Sequence, residues 1–415
     1  MRCEPLLLAL LTASTASAEE VSFRPTLELY GALQGAGYAE SAANPDNSIL
    51  RIPTFRALTE VRPDLKVEVG DALTLRARAR FMSLIDAAMV SESLERSDPR
   101  FESSWLDLYG EWRVSDSVIV AYGLHSFEWG PAESTSPSNG LVRNPGFAST
   151  FLTAYPGRHL ARVNLSAGRS LSAVLMLETM PSDATSPLEP FDPKGQAKLE
   201  YAAEDGGWYV GLVAGSGTTW RPWIGEYVSL ELFEGLSAYF DGRQAQGSRA
   251  FYPAPFVPSF EQSRIEDDTV STFFVGGLRY AFEAGADLRV ELVHDDDAYD
   301  ADETARSVGI LAVGGETSPL LAGPYVSPGF DLPGKNTLFV SVRVPDLGPS
   351  SSLMVYAREL VSLTDGSGVF LAVVDWAATD ALVVDFTAGI MHGEKDRELT
   401  RLTRGLGIVA AKYSW

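Results

Sequence analysis

Alternation of apolar and polar side chains with a period of two runs along nearly the whole chain, and it restricts the fold more than any other feature. The stretch ALTLRARARFMSL at 72–84 sets Leu, Ala and Phe against Thr and Arg, and RALTEVRPDLKVEV at 56–69 repeats the scheme. A period of two is that of a β-strand, whose successive side chains point to opposite faces. Strongly periodic helical stretches are absent from the sequence. The pattern therefore predicts an all-β fold of many short strands.

The connections between these segments change regularly between short and long. Eight short turn sequences lie at Gly70–Asp71, 114–117, 168–170, 204–207, Gly235, 283–285, 345–350 and 378–380. Nine longer connections lie at 39–52, 87–100, 128–158, 181–194, 217–224, 247–269, 298–335, 363–367 and 394–400. Short turns at one end and long loops at the other are typical of an up-and-down barrel, so they predict about 18 strands, with 16 as the alternative. The run 304–313 could be a further strand inside a long loop.

The second face of the strands carries charges of both signs, at strand centres as well as strand ends. Arg76, Arg78 and Arg80 occupy three successive positions of that face. No stretch approaches the roughly 20 apolar residues that a membrane-spanning helix needs. A closed sheet with lipid outside and a wet lumen inside explains both faces, and closure leaves no strand edge unpaired. The sequence therefore predicts a transmembrane antiparallel β-barrel with short periplasmic turns and long extracellular loops.

The N-terminal segment has the features of a secretory signal peptide. Arg2 precedes a short apolar run, and residues 16–18 form an Ala-Ser-Ala cleavage site. We therefore predict that 1–18 is a signal peptide and that 19–415 forms a single barrel domain. The sole cysteine, Cys3, lies in that signal, so no disulfide is expected. A formal charge of −22, from 55 acidic and 33 basic residues, argues against nucleic acid as a partner.

The C-terminal sequence GLGIVAAKYSW ends on Trp415, with Tyr413 two residues earlier and apolar residues at alternate positions before them. Together with the signal peptide and the alternation, this ending resembles the last strand of Gram-negative outer-membrane β-barrel porins. The resemblance implies an outer-membrane location among lipid and lipopolysaccharide. It also implies that Tyr413 and Trp415 form an assembly signal read by the outer-membrane assembly machinery. Homo-oligomers are common in that class, and the sequence leaves this point open.

A second resemblance concerns the segment 122–145, YGLHSFEWGPAESTSPSNGLVRNP. It is similar to a strand end followed by a Pro- and Asn-rich loop in the 18-strand alginate-export type of barrel and related porin-like families. Leu124 and His125 stand where that family has a basic residue. This departure counts against export of a polyanion.

The stretch 128–158 is the longest clearly irregular insert on an early strand pair, and it carries aromatic residues of its own. A loop with apolar side chains needs a surface to pack against, and folding into the lumen would supply one. We therefore predict that this loop constricts the pore, since long inserts are often functional. The alternative is an external loop with no gating role. Its candidate pore residues are Glu128, Glu133, Arg143 and Arg158.

The arginine row offers two interpretations. Three like charges at successive inward positions repel one another unless carboxylates on adjacent strands offset them. The row would then be a structural ladder that solvates the lumen. The other interpretation is an anion-attracting track that selects solutes. The candidate pore residues for either role are Arg76, Arg78, Arg80, Glu60, Asp107 and Glu111.

Neither catalysis nor metal binding has clear support in the sequence. The acidic stretch His294–Glu303 favours a solvated external loop over a Ca²⁺ site, because it lacks the glycine and spacing of an EF-hand. No nucleophile elbow is present, so we predict no catalytic residue, no metal ligand and no cofactor. The sequence favours a passive channel for small polar solutes or ions, whose acidic loops attract cations. A barrel enzyme such as a lipid hydrolase, and a non-conducting barrel for adhesion or assembly, stay open as alternatives.

Overall fold

Most of the chain is described by a computed structural model. The described residues are 21–141, 146–150, 152–183, 191–218, 221–265, 267–313, 318–348 and 350–415. The predicted signal peptide at 1–18 and the candidate pore residue Arg143 lie outside them.

Eighteen strands form one antiparallel barrel, as the alternation predicted, and the alternative count of 16 is wrong. In chain order they are β1 Val21–Tyr38, β2 Phe55–Val69, β3 Leu73–Val90, β4 Arg100–Ser115, β5 Val118–His125, β6 Arg158–Ala167, β7 Leu171–Met180, β8 Lys194–Ala202, β9 Trp208–Gly217, β10 Trp223–Phe233, β11 Leu236–Gln246, β12 Val270–Ala281, β13 Asp287–Asp295, β14 Asn336–Leu347, β15 Leu353–Ser362, β16 Gly368–Ala377, β17 Leu382–His392 and β18 Thr403–Ser414.

The barrel closes by pairing its first strand with its last. β1 is hydrogen-bonded to β2 on one side and to β18 on the other, with Glu28 opposite Ser414 and Gln34 opposite Ile408. Each strand of the wall therefore pairs with a neighbour on both sides, so no strand edge is left open to lipid. Short turns gather at one end and long loops at the other, in the predicted order.

The two faces of the wall differ sharply in chemistry. Leu33, Leu212 and Ile390 point outward and remain 56–62% exposed, whereas Asp241 and Glu291 point inward and are completely buried. An apolar outer surface around a charged interior is the distribution expected of a barrel with lipid outside. No helix in the described ranges is long and apolar enough to cross a membrane.

The predicted long connection at 87–100 is shorter than expected and contains a strand of its own. β3 continues to Val90, and a short strand at Ser93–Arg96 folds back to pair with its last four residues before β4 begins at Arg100. β3 is therefore longer than predicted, because its last four residues are hydrogen-bonded in this short hairpin.

The long connection between β13 and β14 contains two helices, α1 at Ala301–Val313 and α2 at Ser318–Val326. The possible strand at 304–313 is therefore wrong. Asp300 and Glu303 form a reciprocal capping box, since the N–H of Glu303 donates to the Asp300 carboxylate at 2.8 Å and the N–H of Asp300 donates to Glu303 at 3.0 Å. This cap fixes the start of α1 within the acidic stretch. Glu303 is buried, so that stretch is only partly a solvated loop.

The two helices, named here the cap helices, pack against loops from distant parts of the barrel rim. Val308 and Leu311 of α1 and Tyr325 of α2 form one apolar cluster with Ala43, from the β1–β2 loop. Residues of the β11–β12 and β17–β18 loops pack against the same cluster, namely Phe260 and Leu402. The cap helices thus join four loops at the long-loop end of the barrel.

Candidate functional site

The loop between β5 and β6, residues 126–157 and named here the inner loop, runs through the barrel interior. Its contacts are with inward-facing side chains of β2, β8, β11, β13 and β15. β15 stands nine strands from β6, which is half of the circumference of an 18-strand barrel. The inner loop therefore crosses from one wall to the opposite wall.

Asp241 of β11 is the first of three buried charged anchors. Its carboxylate accepts a 2.7 Å hydrogen bond from the backbone N–H of Ser138, and the hydroxyl of Ser136, whose one proton is shared with the Trp129 carbonyl at 2.7 Å, lies 3.1 Å from the other oxygen. On neighbouring β10, Gly225 faces the same part of the loop, and a Cβ placed there would lie 2.9 Å from the Cα of Ser138. The absence of a side chain at 225 lets the loop backbone approach the wall closely.

Glu291 of β13 is the second anchor. Its two oxygens accept hydrogen bonds from the backbone N–H groups of Glu133 and Ser134, at 2.7 and 2.9 Å. The hydroxyl of Tyr239 donates to the same carboxylate at 2.6 Å. Three donors surround a completely buried carboxylate, which offsets the cost of removing that charge from water.

Arg358 of β15 is the third anchor, and it holds the loop with the opposite charge. Its guanidinium donates to the backbone carbonyls of Gly146, Phe147 and Ser149, at 2.7 to 2.9 Å. Arg62 of β2 holds a fourth carbonyl, that of Leu152, at 2.9 Å. Backbone groups of an irregular loop need partners when they are buried, and these wall side chains supply them.

Apolar patches on the inner wall receive the hydrophobic residues of the loop. Phe147 packs edge-on against Phe339 of β14, with ring centroids 6.2 Å apart. Leu141 is buried with Leu160 and Met176, and the rings of Phe127 and Trp129 pack against this cluster. The loop is therefore held by both polar anchors and apolar burial.

The structure places the candidate residues of the inner loop in different surroundings. Glu133 contacts Arg289 at 3.0 Å, and burial raises the pKa of Glu133 while Arg289 opposes that rise. Glu128 is exposed, and its carboxylate accepts a 2.9 Å hydrogen bond from Ser126. Arg158, at the start of β6, pairs with Glu178 at 2.6 Å.

Each arginine of the row has a carboxylate partner. The pairs are Arg76–Asp64 at 2.6 Å, Arg78–Asp107 at 2.8 Å and Arg80–Glu60 at 2.9 Å. Glu60 also contacts Arg62, and Glu111 pairs with Arg162 at 2.6 Å rather than with the row. The inner wall beside β3 is therefore a set of matched charges.

The last strand ends at the short-turn rim with its aromatic residues outward. Tyr413 and Trp415 are 42% and 60% exposed, and their rings meet edge to face with centroids 4.7 Å apart. The backbone N–H of Trp415 donates to the carbonyl of Leu27 at 3.1 Å, so pairing with β1 continues to the final residue.

None of the three anchors is among the candidate pore residues predicted from the sequence. Each lies at a strand centre on the inward register, which is the signal that could have found them. Which inward charge meets the loop depends on how the loop crosses the lumen, and alternation does not contain that information.

Comparison with known proteins gives a likeness of fold. No family model and no curated protein matches the chain. Among solved structures, Pseudomonas aeruginosa OccK2 (OpdF) in complex with glucuronate matches with 10% identity and a TM-score of 0.58, covering 95% of this chain and 98% of that one. Acinetobacter baumannii OccAB1 matches with 11% identity and a TM-score of 0.57, covering 95% and 96%. A BenF-like porin from Pseudomonas fluorescens Pf-5 matches with 10% identity and a TM-score of 0.56, covering 95% of this chain and 98% of that one. The chain therefore has the fold of an outer-membrane porin.

Proposed function

We propose that the chain forms a passive outer-membrane channel for small polar solutes and ions, narrowed by the inner loop. The observation that carries this proposal is the anchoring of the loop across the lumen by Asp241, Glu291 and Arg358. A barrel of this strand number is wide enough to leave an aqueous path, and a loop held inside it sets the size of that path.

The inner wall supports passage of hydrated solutes. Its charges are paired across strands, as in Arg78–Asp107 and Arg162–Glu111, so the lumen is polar without a large local excess of one sign. A polar lumen lowers the cost of bringing a hydrated solute through the membrane. The similar OccK2 structure contains glucuronate, a small polar molecule, which agrees with a channel of this size class.

The location and partners belong to the same proposal. We infer that residues 1–18 direct export, that the wall lies among outer-membrane lipid and lipopolysaccharide, and that Tyr413 and Trp415 are read by the assembly machinery. The outward aromatic pair and the pairing of β18 with β1 support this inference.

The contacts of the histidines support a channel over a lipid hydrolase. His125 contacts a backbone carbonyl, His294 contacts an amide and a carboxylate, and His392 contacts a carboxylate. In the described part of the chain, none of these contacts joins a histidine to a serine hydroxyl, as a hydrolytic nucleophile would require.

Single-channel recording in planar bilayers tests the proposed function. The purified protein should produce discrete conductance steps that scale with salt concentration. Correct folding is verified by the altered electrophoretic mobility of the protein before boiling. A preparation that passes this check and never conducts would contradict the proposal.

A further inference from the structure

The cap helices lie where loops from nearly opposite parts of the rim meet. Glu303 of α1 pairs at 2.5 Å with Arg264 of the β11–β12 loop, whereas Leu311 of the same helix is buried in one cluster with Ala43 of the β1–β2 loop. Eight strands, β12 to β18 and β1, lie between these two loops, which is about 38 Å of rim at about 4.8 Å per strand. Glu303 and Leu311 are only about 12 Å apart along the helix. The loops and helices therefore reach inward and meet over the mouth of the barrel.

A buried polar network joins both cap helices to the β17–β18 loop. Arg401 of that loop donates to the hydroxyl of Ser307 and to the backbone carbonyl of Tyr325, each at 3.3 Å. Its guanidinium also lies 4.5 Å from the centre of the Tyr325 ring. Glu398 of the same loop accepts a hydrogen bond from Thr304 of α1 at 3.0 Å. All five residues are at most 6% exposed. Glu398 is the member of this network that can change its charge near neutral pH.

The pocket that holds the Glu398 carboxyl group is built from several parts of the chain. Ser362, the last residue of β15, donates to the carboxyl group at 2.8 Å, and Thr304 supplies the second hydroxyl. Asp365, in the β15–β16 loop, accepts the backbone N–H of Glu398 at 2.8 Å and so brings a second carboxylate close. At Gly334, in the β13–β14 loop, an added Cβ would overlap Oε2 of Glu398. The absence of a side chain at 334 therefore leaves the space that the carboxyl group occupies.

The charges that face Glu398 favour its neutral form. Burial raises the pKa of Glu398 to about 7, the negative charge of Asp365 adds to the rise, and the two hydroxyl bonds and Arg401 oppose it. Arg401 directs its N–H groups to Ser307 and Tyr325. The α1 helix and the β13–β14 loop present the neutral residues Thr304 and Gly334 to the carboxyl group. An ionised Glu398 would therefore be less stable in this pocket than in water.

We propose that the cap helices form a lid over the outer mouth of the channel, which Glu398 holds closed in acid and releases as the pH rises. The proposal rests on the proposed channel function and goes beyond it, because it assigns a gate to the long-loop end of the barrel. The docked arrangement described above is the closed state. When Glu398 loses its proton, its carboxylate gains by leaving the buried pocket for water. The β17–β18 loop then separates from α1, and the lid opens.

Single-channel recordings of the intact protein at pH 5 and pH 8 test the gate. The current should switch between a low level, with the lid docked, and a high level, with the lid released. Released Glu398 has the pKa of a free glutamate, about 4.3, so the docked lid binds the proton more tightly. The ratio of time at the high level to time at the low level should therefore be about 10- to 100-fold greater at pH 8.

Two variants separate the charge of Glu398 from the presence of the lid. Glu398→Gln keeps the side chain neutral, so the low level should dominate at pH 8 as it does at pH 5. Replacement of residues 301–326 by a short Gly-Ser linker removes the cap helices and should give the high level at both pH values. Glu40→Gln is the matched control, because Glu40 is an exposed carboxylate at the same end of the barrel that pairs with Lys395 outside the buried network. It should keep the full pH response.

Equal ratios at pH 5 and pH 8 in the intact protein would overturn the lid. A pH response that survives in Glu398→Gln, or in the protein without the cap helices, would overturn it as well. Loss of the response in Glu40→Gln would assign it to the overall charge of the rim and not to Glu398. Absence of any conductance would overturn the proposed channel function itself, whereas a channel that conducts without a pH response overturns only the lid.

Discussion

Asp241 on β11 accepts a 2.7 Å hydrogen bond from the backbone N–H of Ser138, a residue 103 positions earlier in the chain. This bond ties an irregular loop to a regular wall across the interior of the barrel. Both partners are completely buried, so neither group can exchange the bond for one to bulk water at no cost. Asp241 is one of three buried wall charges that hold the loop, together with Glu291 and Arg358.

Loss of the Asp241 charge should loosen the inner loop. Asp241→Asn removes the charge that accepts the Ser138 N–H bond, and a bond to a charged group contributes about 1.5–3 kcal/mol. We expect a larger and noisier single-channel conductance than that of the unmodified protein. Asp64→Asn serves as the control, because Asp64 pairs with Arg76 and not with the loop. Equal conductance in all three proteins would show that this anchor does not position the loop.

The arginine row is expected to act as a structural ladder. Arg78→Gln leaves the buried Asp107 carboxylate without its 2.8 Å partner, which should lower the free energy of unfolding by about 1–3 kcal/mol, between the values for exposed and buried pairs. The double variant Arg78→Gln with Asp107→Asn should recover most of that loss. Urea unfolding in lipid vesicles measures the stability, and the reversal potential in a salt gradient measures ion selectivity. A large shift toward cations in the single variant, with unchanged stability, would favour the anion track instead.

Several features of the fold follow directly from the sequence, and others do not. The alternation of β2 and β3 determines which of their side chains face lipid. The turn residues at Gly70–Asp71 and at the other short turns determine the order of short and long connections. Helix α1 was missed because TARSVGILAV is short and apolar, so its period does not separate a strand from a buried helix. The capping pair Asp300 and Glu303 is the local signal that identifies it.

The candidate site was predictable only in part, for a physical reason. An insert with its own aromatic residues needs an apolar partner, and Phe147 finds one in Phe339. The anchors are different, because an inward aspartate such as Asp241 looks the same in sequence whether it faces water, an arginine or a loop N–H. Only the path of the loop distinguishes these cases.

The cap helices should dock more firmly at low pH. Glu398, in the β17–β18 loop, is buried and accepts hydrogen bonds from Ser362 at 2.8 Å and from Thr304 of α1 at 3.0 Å. Burial raises the pKa of Glu398 to about 7, and the negative charge of Asp365 adds to the rise, while the Ser362 and Thr304 bonds and Arg401 oppose it.

The sign of this pH dependence follows from linkage. A free glutamate has a pKa of about 4.3, so the docked state binds more protons than the undocked state between that value and about 7. Docking therefore weakens as pH rises through this window and changes little above it. Hydrogen exchange of α1 amides, corrected for intrinsic rates, should show more protection at pH 5 than at pH 8. Glu398→Gln should remove the difference, and equal protection at both pH values in the unmodified protein would contradict the prediction.

Removal of Trp415 should impair assembly more than the folded pore. Trp415 is 60% exposed and packs on Tyr413 at the end of β18, so its loss removes an outward aromatic edge but no contact of the lumen. We expect lower amounts of protein in the outer membrane and normal conductance of the fraction that folds. Trp376→Ala is the control, because Trp376 is an outward aromatic residue at the same rim, 45% exposed, on β16. Normal membrane levels after removal of Trp415 would show that the C-terminal residue is not the signal.

The central claim is that the inner loop narrows a conducting barrel. The most direct measurement is the single-channel conductance of the intact protein beside a variant in which residues 131–153 are replaced by a short Gly-Ser linker. Both proteins should show the heat-dependent mobility of a folded barrel, and the shortened variant should conduct in clearly larger steps. Steps of the same size in both proteins would contradict the account, because they would show that the loop held by Asp241, Glu291 and Arg358 does not limit the pore.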